Sequence, residues 1–362
     1  MVPTAALSGV PRPPRDVALR AGPLKHVPAL LREFGVDPPA VMTGAGVDPQ
    51  WLDDPEHRIA FDTVGRLLDD CVRATGCAHF GLLAAQRLDE SALGTLGTLV
   101  RHGRTVGSAL QDLVLYLHLH DRGAVPMLLK LGPTRTALGY AVYRRGTLGR
   151  SQIVDGALAI ALQVLRRLCG PQWRPSEVLF THRAPADTAP FQRFFGAPLR
   201  FDAELSAVVF PSRWLAQPIA GADPAVRVAL RAALEEAARH DAGPLAEQVH
   251  RALHSTIFVE GQSAAPQIAR LFGLHERQLR RRLQQEGVNF RRIAGEARLA
   301  VAQQLLGDTG LSLSEIAEAL HYSDVTALSR AFKQWTGQRP AAWRAARALD
   351  EPASAPRRAA NA

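Results

Sequence analysis

Lysine is almost missing from this chain: of its basic residues only Lys25, Lys130 and Lys333 are not arginine. Arginine suits bidentate recognition of phosphate and guanine, but a GC-rich codon bias yields the same excess together with many alanines, so the arginine count carries no function. Cysteine is equally scarce. Cys71, Cys77 and Cys169 form no CxxC and are odd in number, which excludes a disulfide framework and a zinc finger and fits a reducing cytoplasm. No stretch approaches the roughly 18 apolar residues that a bilayer crossing needs. The first residues, MVPTAALSGVPRPPRD, carry prolines where a signal peptide has its apolar segment, so a cytoplasmic protein without a membrane partner is expected. GxSxG, GxxxxGK and HExxH are all absent, and hydrolase, nucleotide-binding and metalloprotease readings lose their starting residues.

What is present bounds the architecture. A chain of 362 residues with 47% apolar content has ample core and exceeds the size at which single cores stop growing, so two domains are expected. The net charge of +9 is uneven: residues 263–347 hold 13 Arg or Lys against 7 Asp or Glu. That quarter of the chain has the charge of a polyanion-binding region.

Residues 1–23, rich in Pro and small residues, read as a flexible arm. From 24 to about 222 the pattern mixes helix and strand. FDTVGRLLDDCVRAT (61–75) and VGSALQDLVLYLHLH (106–120) place apolar residues on one helical face, and VDGALAIALQVLRRLCG (154–170) is a third helix ending at Gly170. MLLKLGPTRTALGYAVY (127–143) predicts two strands around Gly132 and Pro133, with VLF (178–180) and AVVF (207–210) as further short strands. PAVRVALRAALEEAARHD starts with Pro224 at a first helical turn and gives a linker helix over 223–242, broken by Gly243 and Pro244. Residues 243–347 are helical throughout, and 348–362 read as a disordered tail. The fold class is thus an α+β N-terminal domain followed by an all-α domain.

The all-α part contains an internal repeat. QIARLFGLHERQLRRRLQQEG (267–287) recurs as EIAEALHYSDVTALSRAFKQWTG (315–337), with Ile268 and Ala269 matching Ile316 and Ala317, and Leu279, Arg281 and Leu283 matching Leu328, Arg330 and Phe332. Each copy reads as a helix-turn-helix, at about 264–286 and 313–336. In the first, Ser263 is positioned to cap the supporting helix, Gly273 makes the turn, and Leu279 and Leu283 are buried at i and i+4. Arg277, Gln278, Arg280 and Arg281 are left outward, and such side chains pair with guanine and adenine edges in a major groove. In the second copy Thr326, Ser329, Arg330 and Lys333 take that place. Gly287 and Gly337 occupy αL caps after the second helix of each copy, and Pro340 stops continuation. Between the copies, FRRIAGEARLAVAQQLLG (290–307) aligns Phe290, Ala294, Ala297, Val301 and Leu305 as a spacer helix, about 27 Å long.

Other candidate chemistry is weak. His118 and His120 lie about 200° apart on a helix and cannot share an ion. His250 and His254 lack a completing Cys or carboxylate. TGAGVDP (43–49) has Pro49 where a dinucleotide loop needs its third glycine. The neighbouring acids Asp69–Asp70 and Glu235–Glu236 read as solvated faces. Trp51, Phe61, Phe80, Tyr116, Tyr140 and Phe180 either line a cavity or fill the core, the core being favoured. No catalytic residue, metal or cofactor is expected.

Residues 243–347 resemble the DNA-binding domain of AraC/XylS-type bacterial transcription regulators. The resemblance rests on IARLFGL with LRRRL, RLAVAQQLL from Arg298, and IAEALHYSDVTALSRAFKQWTGQRPAAWR over 316–344. It implies that Arg281 and Arg330 project into the major groove of double-stranded operator DNA. This chain departs from the family at His321, where glycine is usual, at His275, where serine is usual, and at Leu328, where an aromatic is usual. A residue other than glycine at a turn needing positive φ is strained, so the first helix pair is the safer reader. PEHRIAFDTVGRLLDDC, HFGLLAAQ, LGTLGTLVRHGRTVGSALQDLVLYLHLHDRG and FFGAPLRFDAELSAVVFPSRWLAQPIAGADP further resemble the arabinose-binding-like sensor domain of a subset of the family. The resemblance implies a small-molecule effector of unspecified identity, activation, a homodimer, RNA polymerase as a partner, and residence on the nucleoid when bound. Two other classes stay open: an enzyme that borrowed the DNA-binding domain, which needs a reactive cysteine, and an architectural protein whose first 220 residues only dimerise.

Overall fold

A computed structural model describes residues 18–349 except 89, 143–146, 204, 241–244, 258–262 and 273. Residues 1–17 of the expected arm, residues 350–362 of the expected tail, Gly243, Pro244 and the turn residue Gly273 lie outside the described residues, whereas Ala348 and Leu349, expected in that tail, close a helix. The N-terminal part contains helices α1 Val27–Glu33, α2 Pro38–Gly44, α3 Phe61–Thr75, α4 Phe80–Gln86, α5 Thr95–Arg101, α6 Val106–Tyr116, α7 Arg150–Cys169, α8 Ala189–Phe195 and α9 Pro224–His240. Its strands are β1 Ala18–Arg20, β2 Arg58–Ala60, β3 Ala124–Leu131, β4 Arg135–Val142, β5 Glu177–Leu179, β6 Leu199–Arg200 and β7 Ala207–Pro211. The C-terminal part is helical: α10 Leu245–Thr256, α11 Ala265–Leu271, α12 Glu276–Gln285, α13 Phe290–Asp308, α14 Leu313–Ala319, α15 Val325–Thr336 and α16 Pro340–Leu349.

Strands β3, β4, β7, β5 and β6 lie in that order in one sheet, antiparallel except for the parallel pair β5–β6. Side chains alternate across a strand. Leu138, Val142, Val178, Val208 and Phe210 accordingly join the core formed with α3, α4, α6 and α7, while Met127, Leu129, Ala137, Ala141, Leu179, Ala207 and Val209 face the other way. That second face is also covered. It is continuous with Val249 and Leu253 of α10 and with the core of the C-terminal helices, α10 lying against β3 and α6. Burial on both faces explains why AVVF of β7 is an uninterrupted apolar run. Gln304 of α13 crosses the junction, its Nε2 donating to the Ala141 carbonyl at 3.2 Å.

The structure departs from the sequence pattern in several places. Ala18–Arg20 pair with Arg58–Ala60 as an antiparallel ribbon with Leu19 and Arg20 buried, so part of the expected arm is packed structure. The helix expected over 106–120 ends at Tyr116 and tightens into a 3₁₀ turn, Leu117–Leu119. The linker helix α9 is docked as well as connecting. Arg227 donates from Nε and Nη2 to the buried Asp112 Oδ2 at 3.1 and 2.6 Å, and Tyr116 Oη donates to Glu235 Oε1 at 3.3 Å. Glu235 is thereby engaged rather than merely solvated. Removing one member of a buried ion pair leaves the other uncompensated, so this contact fixes the direction in which the chain leaves the first domain.

Candidate nucleic-acid interface and the cavity of the first domain

In the first helix pair, Ile268 and Ala269 of α11 are fully buried against Leu279 and Leu283 of α12. Helix α11 starts at Ala265, with the Ala264 carbonyl accepting from Ile268 N. Ala264 thus stands at the cap, one residue beyond the Ser263 that the sequence suggested. At about 100° per residue, the side of α12 opposite its buried leucines is centred on Arg281. Arg277 and Gln285 lie about 40° to either side, and all three are exposed.

The second pair repeats the arrangement. Ile316 and Ala317 of α14 pack with Leu328 and Phe332 of α15, and Arg330 is centred opposite them, flanked by Thr326 and Gln334. The turns match although their residues differ. Leu274 N donates to the Ala269 carbonyl at 2.9 Å and, 48 residues on, Tyr322 N donates to the Ala317 carbonyl at 2.9 Å. His321 sits in the second turn with φ 58°. It therefore takes the left-handed conformation that glycine adopts freely, a strain of about 1–2 kcal/mol for an L-residue, and the helix pair forms regardless. Gly287 and Gly337, with φ 75° and 77°, end both outer helices as expected.

Helix α13 joins the pairs, and Phe290, Ala294, Ala297, Val301 and Leu305 are all buried along it. At Gly295 an added Cβ would lie 2.0 Å from Trp335 Cζ2, so the bare backbone there is what lets the α15 indole rest on the spacer. Phe332 meets Trp343 of α16 edge-on at 5.9 Å. Pro340 opens α16 as well as ending the preceding segment, and Arg344 Nη2 donates to the Leu311 carbonyl at 2.6 Å.

Of the eight side chains singled out in the sequence, Arg277, Gln278, Arg280, Arg281, Thr326, Arg330 and Lys333 are exposed and Ser329 is half-buried. They are not equivalent. Gln278 Oε1 accepts from His275 N at 3.0 Å, part of the start of α12, and Arg280 reaches back to Glu276, Nη2 to Oε1 at 2.6 Å. Arg281 forms no hydrogen bond or ion pair with any described residue, while Arg330 lies in the field of Asp324, which caps α15 by accepting from Ala327 N at 2.7 Å. Gln285 and Gln334, exposed on the same outward sides, are not among the eight. Their equivalence under the same repeat, at an offset of 49, was available in the sequence.

The first domain holds a half-open cavity of about 120 Å³. Its wall is mostly aliphatic, including Val64, Leu68, Leu113, Leu117, Ile160 and Val164. Of the six aromatic residues considered, Tyr140 alone lines it; Phe61, Phe80, Tyr116 and Phe180 are core residues, and Trp51 stacks on His57. The polar wall groups are His120, Asp121, Tyr140 and Gln152. Gln152 is fully engaged, its Nε2 donating to the Ala78 carbonyl and its Oε1 accepting from Gly81 N. Tyr140 Oη donates to Asp121 Oδ2 at 2.5 Å, and Gly123 N donates to Oδ1 at 2.7 Å. Burial raises the Asp121 carboxyl to about 6, against the opposing pull of these two bonds. Burial, helped by Arg20 and Arg58, lowers His120 to about 3 and keeps it neutral. Its Nδ1 lies 3.4 Å from Arg20 Nη1, and since guanidinium can only donate, Nδ1 is the acceptor.

Among the described residues no group of His, Cys, Asp and Glu could hold a metal, and no helix is long and apolar enough to cross a membrane. His118 instead bonds the Leu115 carbonyl, 2.9 Å away. All three cysteines are buried, and desolvation pushes the Cys71 and Cys169 thiols up to about 12. That is the opposite of a reactive thiolate site.

Paired helix-turn-helix units with exposed basic outer faces, behind a cavity-bearing α+β domain, define a DNA-binding regulator. The family described as "Arabinose-binding domain of AraC transcription regulator, N-term" matches residues 35–219, and a "Helix-turn-helix domain" family matches 268–346. The chain belongs to the AraC family of transcription regulators. It is 28% identical over 332 residues to the HTH-type transcriptional regulator VirS of Mycobacterium tuberculosis (strain ATCC 25618 / H37Rv), covering 90% of this chain and 96% of that one. It is 29% identical over 345 residues to the ornithine utilization regulator of Pseudomonas aeruginosa, with the same coverage. The crystal structure of transcriptional regulator CdpR from Pseudomonas aeruginosa is similar at TM-score 0.47 and 21% identity, over 90% of this chain and 98% of that one. These relatives and both domains are those of transcription regulators, which are not enzymes.

Proposed function

We propose that this regulator is controlled by a small effector held in the cavity of its first domain, and that its two helix pairs read successive major-groove segments of an operator. In this reading the sensor runs from β1 to about residue 222, α9 links it to the reader, and the reader spans 243–347. Arg281 and Arg330 address base edges, with Arg277, Gln278, Arg280, Thr326, Ser329 and Lys333 around them. The protein acts as a homodimer in the cytoplasm, activates transcription and touches RNA polymerase.

The observation that carries effector control is the course of β4. Tyr140 lines the cavity, and the next residue, Ala141, accepts the hydrogen bond of Gln304 on the spacer helix. One strand therefore borders the ligand space on one face and the reader on the other. An effector favouring one setting of β4 shifts the population of reader arrangements by its difference in affinity for the two.

The test begins with the DNA recovered by a genome-wide pull-down, which gives the operator and the neighbouring pathway. Operator affinity and reporter output are then measured with that pathway's metabolites. A metabolite that raises the melting temperature dose-dependently and changes operator affinity in the wild type, but leaves operator affinity unchanged in Gln304→Leu, supports the reading. Absence of any ligand response, with the first domain needed only for dimerisation by sedimentation, replaces it with the architectural reading.

A further inference from the structure

The chemistry of the cavity wall points to a class of effector. Asp121 is 3% exposed, lines the cavity, and accepts one bond from Tyr140 and one from Gly123. No basic side chain among the described residues forms an ion pair with it. Arg20, the cation that meets the neighbouring His120, is directed elsewhere: its Nη1 meets His120 Nδ1 and donates to the Leu93 carbonyl at 3.3 Å, and its Nη2 pairs with Glu56. None of the other three polar wall groups carries a positive charge, and neutral His120 keeps only its Nε2–H as a donor. Gln152 has both amide atoms bonded, the Tyr140 hydroxyl is directed at Asp121, and His120 is neutral. A buried carboxylate without a counter-ion is costly, and burial that raises its proton affinity expresses that cost.

We propose that the effector is a small, mainly aliphatic molecule whose polar head donates hydrogen bonds to Asp121, and that this head is a protonated amine. The assignment rests on the effector reading above. An ammonium head supplies the missing counter-ion and up to three N–H donors, and the carboxylate has lone pairs beyond those used by Tyr140 and Gly123. The aliphatic wall receives the rest of the ligand. At about 120 Å³ the space is close to an engineered apolar cavity of about 150 Å³ that admits benzene, so the ligand has roughly six or seven non-hydrogen atoms. A carboxylate head is excluded by repulsion from Asp121. A hydroxyl head keeps one donor bond but leaves the charge uncompensated.

The experiment is isothermal titration and thermal shift of the full chain with three matched probe sets: n-hexylamine and cyclohexylamine, the corresponding alcohols, and hexanoate with cyclohexanecarboxylate. Amines are expected to bind saturably and most tightly, alcohols more weakly, and carboxylates not at all. Asp121→Asn is expected to weaken amine binding by roughly 10- to 100-fold, the worth of a charge-assisted bond, and to leave the alcohols nearly unchanged. Alcohols or carboxylates binding as well as amines to the wild type overturn the amine assignment, and this arm needs no variant. Equal amine affinity in wild type and Asp121→Asn overturns it as well. If alcohols or carboxylates bind in the cavity and shift operator affinity, the effector reading survives while the amine assignment falls. If no probe binds and filling the cavity with Ala157→Leu leaves operator affinity and reporter response untouched, both fall together.

Discussion

The two helix pairs share one backbone plan and differ in what they invest in it. The first presents Arg277, Arg280, Arg281 and Arg282 on a ten-residue outer helix whose packing rests mainly on Leu279 and Leu283. The second has Arg330 and Lys333 as its only basic residues, yet its outer helix is held by Leu328, by Phe332 against Trp343, and by Trp335 over Gly295, and it begins at an aspartate cap. Charge density and anchoring have thus been distributed in opposite ways. The first pair is suited to supplying electrostatic attraction, which is independent of sequence, and the second to holding one side chain in a fixed place. The left-handed His321 belongs to the better-anchored pair, whose packing absorbs the strain.

The largest effect is expected at Phe332. Phe332→Ala removes a buried ring shared by α15 and α16 and should destabilise the reader by about 3–5 kcal/mol, seen as loss of the C-terminal unfolding transition in urea. A loss below about 1 kcal/mol would contradict the anchoring assigned to the second pair. The arginines come next. Arg281→Ala and Arg330→Ala should each reduce discrimination between operator and random DNA by about 1–3 kcal/mol, measured by competition binding, while Lys333→Ala weakens both DNAs alike and lowers the salt slope by about one. His321→Gly should stabilise the reader by about 1 kcal/mol, and an unchanged or lower midpoint would mean that the histidine makes a compensating contact. The aspartate cap gives the smallest effect and a sign in pH. The backbone bond from Ala327 leads in lowering the Asp324 carboxyl, so its contribution is present above the unfolded value of about 3.9 and fades as pH falls through the lower folded value. Asp324→Ala should therefore lower the melting temperature at pH 7 and change it little near pH 2.

The reader was legible almost residue by residue because its signals are local. Leucines at i and i+4, glycine after the last turn and a repeat at a near-constant offset each constrain one or two turns of helix, and α12, α13 and α15 follow them. The first domain was legible in its longer pieces: α3 spans Phe61–Thr75 as read, and β4 and β7 fall where the strand-like runs placed them. What escaped depends on partners far along the chain. The pairing of Ala18–Arg20 with Arg58–Ala60, the two-residue β6, the burial of Asp112 under Arg227 and the meeting of Asp121 with Tyr140 are each products of topology. The cavity was the least accessible of all, since an aliphatic side chain lining a space has the same sequence pattern as one filling a core.

Whether both helix pairs of one chain read DNA is decided by footprinting of the full-length protein on its operator. Wild type should protect, for each protomer, two major-groove segments on one face of the duplex about one helical turn apart. Arg281→Ala should open one segment and Arg330→Ala the other. A single protected segment, unaffected by Arg330→Ala, would mean instead that the second pair, turned on His321, serves the fold without touching DNA.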